Sequence, residues 1–142
     1  MNAFRKATEG KSWVLGPLLE LPHVVHAAVL SGDGFIEGRS ADLTQEEAEG
    51  AAAMMSALQG AARAATQAFS GNPKPRLRQT IIESDDGFVF VIPAGGNAYL
   101  AVFASPEVNL GVVAHQMQVQ VKSLGEKVMT SPAREPAGDA QG

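Results

Sequence analysis

The sequence predicts an α/β domain in which a five-stranded antiparallel sheet, ordered 2-1-5-4-3 along its width, carries helices on both faces. Three observations lead there. Pairs of apolar segments flank short glycine-containing loops, as the strands of hairpins do. The first, fourth and fifth of these segments are almost wholly apolar, as strands covered on both faces are. One long helical segment, residues 44–69, lacks the polar stripe that a helix facing water needs.

Taken in chain order, the first helix is expected near Trp13 to Leu21. Gly16-Pro17 would disturb it, and Pro17 is the alternative start because proline is tolerated in a first turn. Val24 to Leu30 and Phe35 to Ser40 then flank Ser31-Gly32-Asp33-Gly34, the first hairpin. Leu77 to Ser84 and Phe88 to Ile92 flank Asp85-Asp86-Gly87, the second, and Phe88 to Ile92 and Tyr99 to Ala104 flank a loop with Gly95-Gly96-Asn97, the third. The glycines supply the positive φ that tight turns require. Glu37 and Arg39 mark the second strand, and Arg78, Gln79 and Glu83 the third, as edges, whereas the other three have no such charges. Pairing the fifth strand with the first places both polar strands outside.

Between the first hairpin and the third strand, Thr44 followed by Glu47 reads as a capping box at the start of the long helix. Leu110, Val113, Ala114, Met117, Val121, Leu124 and Val128 recur at helical spacing and predict a last helix with one buried face and Gln116, Gln118, Gln120 and Lys122 largely opposite. Pro106 or Asn109 would open it. The ends read differently. Residues 1–11 are polar and expected to be flexible, residues 130–142 (TSPAREPAGDAQG) hold too few large apolar groups to order themselves, and residues 12–129 form the domain.

The long helix is the most informative element. Past Glu49 its only charged residue is Arg63. One face is expected on the sheet. Opposite lies a ladder of Ala53, Ala57, Ala61 and Ala65, flanked by Gly60, Ala64 and Ala68, where a second helix could approach closely, and a symmetric partner is expected there. Met54 and Met55 point about 100° apart, so one is expected on the sheet and the other, with Leu58 and Arg63, on a partner-facing surface. Lys74, Arg76 and Arg78 alternate along one side of the approach to the third strand, fitting edge protection or an acidic partner.

Composition excludes several classes of function. The chain has 142 residues, 45% of them hydrophobic, which suits one domain. With no cysteine there is no disulfide, thiolate nucleophile or Cys-based zinc site. A net charge of −4 with scattered basic residues argues against nucleic acid. No apolar run approaches the ~20 residues of a membrane span, and MNAFRKATEGKSW has no signal-peptide core, so a cytoplasmic location is expected. No phosphate loop, HExxH or GxSxG appears. His23, His26 and His115 are too dispersed for a local metal motif and are read as packing or surface residues. The Glu83, Asp85, Asp86 cluster is read as a solvated hairpin tip. Neither metal, cofactor nor catalysis is expected.

The succession VVHAAVLSGDGF, DLTQEEAEGAAAMMSAL, RQTIIESDDGFVFVIPAGGNAYLAVFA and NLGVVAHQM resembles the roadblock / dynein light chain family in its bacterial form, over residues 12–128. The resemblance implies a profilin-like or longin-like α/β/α sandwich. It also implies a homodimer formed through the third strand and the long helix, which would place Arg78, Thr80 and Ile82 beside Ala53, Ala57, Gly60, Ala61 and Ala64 at the interface. Bacterial members regulate Ras-like small GTPases of the gliding-motility type, and actinobacterial ones are often encoded beside such a GTPase and a histidine-kinase-like protein. His23 departs from a glycine common after the proline, and Gly16-Pro17 interrupts the usual acidic first helix.

The expected function is therefore a non-catalytic homodimeric module that binds a Ras-like GTPase and modulates its nucleotide cycle, with activation the leading mode. Arg63 invites an arginine-finger role, but a salt bridge or hydrogen bond is commoner for a lone arginine, and bacterial relatives reshape the GTPase's own site instead. The alternatives are a scaffold joining the GTPase to a histidine-kinase-like membrane protein and a small-ligand sensor. The last ranks third because Phe88, Phe90, Tyr99 and Phe103 are expected to fill the space between sheet and helix.

Overall fold

Turn and cap chemistry sets the element boundaries in the computed structural model, which describes residues 7–8 and 10–130. In chain order these are β1 (Ala7–Thr8), a 3-10 turn (Ser12–Leu15), α1 (Gly16–Leu19), β2 (Val24–Ser31), β3 (Ile36–Ser40), α2 (Gln45–Ser70), β4 (Thr80–Ser84), β5 (Gly87–Pro93), β6 (Ala98–Ala104) and α3 (Leu110–Thr130). Thr44 caps α2 through the expected capping box, and Gly71, at φ 76°, closes it in the left-handed conformation. Asn109, rather than Pro106, opens α3: its Oδ1 accepts from the Val112 N–H at 3.1 Å. Pro17 sits in the first turn of the short α1, after the 3-10 turn.

The five expected strands stand in the expected sequence, with helices on both faces: β3-β2-β6-β5-β4 is the order 2-1-5-4-3. A sixth, β1, extends the sheet beyond β3, pairing Ala7 with Ser40 and Thr8 with Arg39. Thus β3 is not the margin, and the segment 1–11, expected to be loose throughout, supplies a strand at residues 7–8. Lys11 is held as well, its N–H donating to the Glu37 carbonyl at 2.9 Å and its Nζ pairing with the Glu37 carboxylate at 2.8 Å. At the other margin β4 pairs only with β5. The expected disordered tail, residues 130–142, lies outside the described residues from 131 onward.

The two sheet faces are covered unequally. On one, α1, the 3-10 turn and α3 bury Leu15, Leu18, Leu19, Phe90, Leu100, Val102 and Met117 in a continuous apolar cluster. Gln120, read from sequence as part of the polar face of α3, is buried there. Its Nε2 donates to the Val14 carbonyl at 2.9 Å and its Oε1 accepts from Gln116, which makes an inward amide tolerable. On the other face lies α2.

Two local features hold the ladder in register. His23, the residue that departs from glycine, has φ 72°, and its carbonyl accepts from the Ser105 N–H at 2.8 Å, so a left-handed residue begins the β2–β6 pairing. Gly87 has φ 136°, and a Cβ there would lie 2.0 Å from the Ala104 carbonyl oxygen. Only glycine fits that approach.

Candidate functional site

The least covered part of the molecule is α2. Of its 26 residues only Ala48, Ala52 and Gln59 are buried, on the side facing the sheet. Small side chains there bury little area and leave an apolar cavity of about 210 Å³ beneath the helix, lined among others by Leu43, Met55, Val89, Ala101 and Phe103. The four aromatics expected to fill the space between sheet and helix divide between the two faces. Phe90 is buried in the opposite core and Phe88 packs against that core, because strand parity sends residues 88 and 90 to the α1/α3 side. Phe103 alone of the four lines the cavity.

Gln59 went unnoticed in the sequence. Its side chain is 1% exposed, and neither Oε1 nor Nε2 has a hydrogen-bond partner among the described residues. An unpaired buried amide costs about 1–3 kcal/mol, a second sign that this layer is imperfectly packed. Its signal was a polar residue at i+4 and i+7 from the sheet-facing positions Met55 and Ala52.

The outer face of α2 carries the residues singled out from sequence. Ala53, Ala57, Gly60, Ala61 and Ala64 are all exposed. Met54 is 64% exposed while Met55 lines the cavity, the division that their angular separation demands. Phe69, near the end of the helix, is 93% exposed. Leu58 is half-buried. Arg63 is exposed but engaged, its Nη1 donating to the Tyr99 hydroxyl at 2.9 Å.

Beside α2 runs the free margin of β4. Thr80 lies opposite Val91 and Ile82 opposite Val89, and residues directly opposite in an antiparallel pair project to the same side. Val89 lines the cavity under α2, so Thr80 and Ile82 continue that apolar surface outward past the helix. Ile82 is exposed, Thr80 half-buried, and Arg78 exposed just before the strand. The structure thus brings the α2 ladder and the β4 edge onto one side of the molecule, an exposed surface of small and apolar groups.

Catalytic elements do not gather here. Among the described residues no three His, Asp or Glu side chains are placed to share a metal ion, and no helix is long and apolar enough to cross a membrane. His26 lies 3.5 Å from Asp42, an ion pair when protonated. The Glu47 carboxyl is held below its usual range, first by the hydrogen bond from the Thr44 N–H and then by the Thr44 side chain.

Comparison with known proteins adds three findings. A family model described as the Roadblock/LC7 domain matches residues 12–104. A Roadblock/LC7 domain from Streptomyces avermitilis superposes with a TM-score of 0.76 at 31% identity, covering 87% of this chain and 100% of that one. MglB of Myxococcus xanthus (TM-score 0.71, 12% identity, 84% and 88% covered) and the gliding protein MglB from Thermus thermophilus (0.66, 18%, 85% and 90%) share the fold. No curated protein matches the sequence.

Proposed function

The chain belongs to the Roadblock/LC7 domain family, and from that premise we propose that it is a non-catalytic, homodimeric cytoplasmic module that binds a Ras-like small GTPase and accelerates its nucleotide cycle. The observation that carries this reading is the exposed apolar surface shared by α2 and the β4 edge.

Two copies related by a twofold axis would join their β4 edges into one sheet and set their α2 helices side by side. The ladder of Ala53, Ala57, Gly60, Ala61 and Ala64 permits close backbone approach, and an isologous contact needs only this one self-complementary patch. Paired helices would then form a low-charge platform with Met54 and Phe69 exposed, where flexible methionine suits a changeable guest. The link to a GTPase rests on the family resemblance, and the MglB proteins that share the fold support it. Arg63 already donates to Tyr99, which favours activation by reshaping the GTPase over insertion of an arginine.

Single-turnover GTP hydrolysis by the cognate Ras-like GTPase, with and without this protein, tests the reading. An activator prefers the GTP form, because a regulator shifts an equilibrium only by differential affinity. Acceleration that survives Arg63→Ala is the expected result, and a loss of about a thousandfold with binding intact would assign an arginine finger instead. Equal binding to both nucleotide states without acceleration would leave the scaffold to a histidine-kinase-like partner.

A further inference from the structure

Where the crossover from α2 to β4 meets α2, four cations stand together, with no carboxylate among the described residues lining the cavities they share. A cavity of about 450 Å³ is lined by Arg63 of α2, Arg76 and Arg78 of the crossover, and Tyr99 of β6, with Pro75 and Pro93 in its walls. A second cavity, of about 510 Å³, shares Arg63 and Arg76 and adds Lys74. Among the described residues no carboxylate lines either one. Lys11 pairs with Glu37 and His26 with Asp42, and among the described residues no ion pair to any of these four cations is found. In a chain with 15 acidic and 11 basic residues, four cations lining adjoining cavities with no described carboxylate among them is not what an even scatter of charge produces.

The group is also held in place. Arg76 and Arg78 are two residues apart on irregular chain, so an extended backbone would turn both to one side, and both line the cavity. Pro73 and Pro75 fix φ on the approach, and the Asn72 Oδ1 accepts from the Lys74 N–H at 3.0 Å, so the crossover is stiffened before its ligand arrives. The Tyr99 hydroxyl fixes Arg63 through one donor and leaves the remaining guanidinium N–H groups for a guest. Planar guanidinium forks match tetrahedral and planar oxyanions in pairs of hydrogen bonds. The cavity volume is that of a small-molecule site, in the usual range of about 300–1,000 Å³.

We propose that this cavity is an anion site for a small ligand carrying a phosphate or diphosphate group, with Arg63, Arg76 and Arg78 as its ligands and Lys74 lining the adjoining cavity. The cavity is formed within one chain, although Arg78, and Gly60 and Ala64 of the adjoining cavity, also border the proposed twofold contact; binding of a small anion is independent of any GTPase.

Titration calorimetry of the full-length protein with inorganic pyrophosphate, at fixed ionic strength in chloride, tests it. Saturable binding of one pyrophosphate per chain is expected. Arg76→Gln and Arg78→Gln should each weaken it by about tenfold, the weight of one hydrogen bond to a charged group. Tyr99→Phe, which unfastens Arg63 without removing charge, should weaken it by less. Lys11→Gln makes the same change in net charge at the far edge of the sheet and should leave the affinity within about twofold. The absence of saturable heat overturns the site, and so does equal weakening by Lys11→Gln, which would mean diffuse attraction. Glutarate binding as tightly as pyrophosphate would also overturn it, assigning the cavity to the carboxylates of an acidic protein partner.

Discussion

The two faces of the sheet are made from the same strands, yet one is a finished core and the other is not. Against α1 and α3, Phe90, Leu100, Val102 and Met117 belong to one cluster with Val14, Leu15, Leu18 and Leu19. Against α2, the buried apolar residues are only Ala28, Leu30, Ala48, Ala52 and Val91, with a cavity and an unpaired amide among the elements they join. Length does not explain this, since α2 is the longest helix. Side-chain size does. Each buried CH₂ contributes about 0.8 kcal/mol, so a helix that meets its sheet through alanine is weakly anchored, and the same alanines on its outer side let another backbone come close. The comparison teaches that small residues give up packing area within the chain and leave an outer face that another backbone can approach closely.

The largest expected effect breaks the comparison if the faces are in fact alike. Phe90→Ala removes a ring from the finished core and should destabilise by about 3–5 kcal/mol. Val89→Ala, its neighbour in sequence on the α2 face beside the cavity, should cost about 1 kcal/mol or less, because the lost methyls have few neighbours. Denaturant midpoints with unchanged slopes give both values. Similar losses would mean that α2 packs as firmly as α3.

The next effect concerns what covers the unfinished face. Ala57→Glu sits on the exposed side of α2 and should leave the secondary structure and fold intact, while placing like charges opposite one another in a twofold interface. Ile81→Pro removes a backbone donor from the free edge of β4, since the register pairs Thr80 with Val91 and turns the backbone donor of residue 81 outward, and proline is tolerated only at the margin of a sheet. Each should weaken self-association by about tenfold or more. Sedimentation across the micromolar range separates the outcomes, and a monomeric wild type under those conditions would abandon the homodimer.

Much of this was legible in the chain. The Thr44–Glu47 box, the glycine turns and the contrast between apolar and charged strands led to the helix start, three hairpins and the strand order, because each signal is local or depends on simple polarity. What escaped depends on contacts distant in sequence. β1 is joined to Arg39 and Ser40 through its backbone, and a two-residue strand has no side-chain period to read. Alternation along β5 reveals that residues 88 and 90 share a face, but not which helix covers it, so the division of the aromatics between the two layers was not legible. Gln120 looked solvated until Val14, 106 residues away, offered its carbonyl. The cavity of arginines needed the crossover to return Arg76 and Arg78 to Arg63, which spacing alone does not reveal.

The smallest expected effect sharpens the comparison at its weakest element. With so little packing beneath α2, its own first turn should matter to its integrity, and there the Glu47 Oε1 accepts from the Thr44 N–H at 3.0 Å while the Thr44 Oγ1 accepts from the Glu47 N–H at 3.0 Å. The Thr44 backbone hydrogen bond, followed by the Thr44 side chain, lowers the Glu47 pKa in the folded chain. A lowered folded pKa means that the native state binds fewer protons, so the stabilisation is present above the ordinary carboxylate pKa and is lost as pH falls through the folded value. Glu47→Gln keeps an acceptor for the Thr44 N–H but abolishes the charge at the positive end of the helix. At neutral pH the substitution should lower the melting temperature by about 1–2 °C. As pH falls through the lowered folded pKa the difference should shrink toward zero, because Glu47 is then neutral like the glutamine. A gap that stays constant from pH 7 down through that value would show that the carboxylate charge contributes nothing to holding α2, and that the light packing on the sheet suffices by itself.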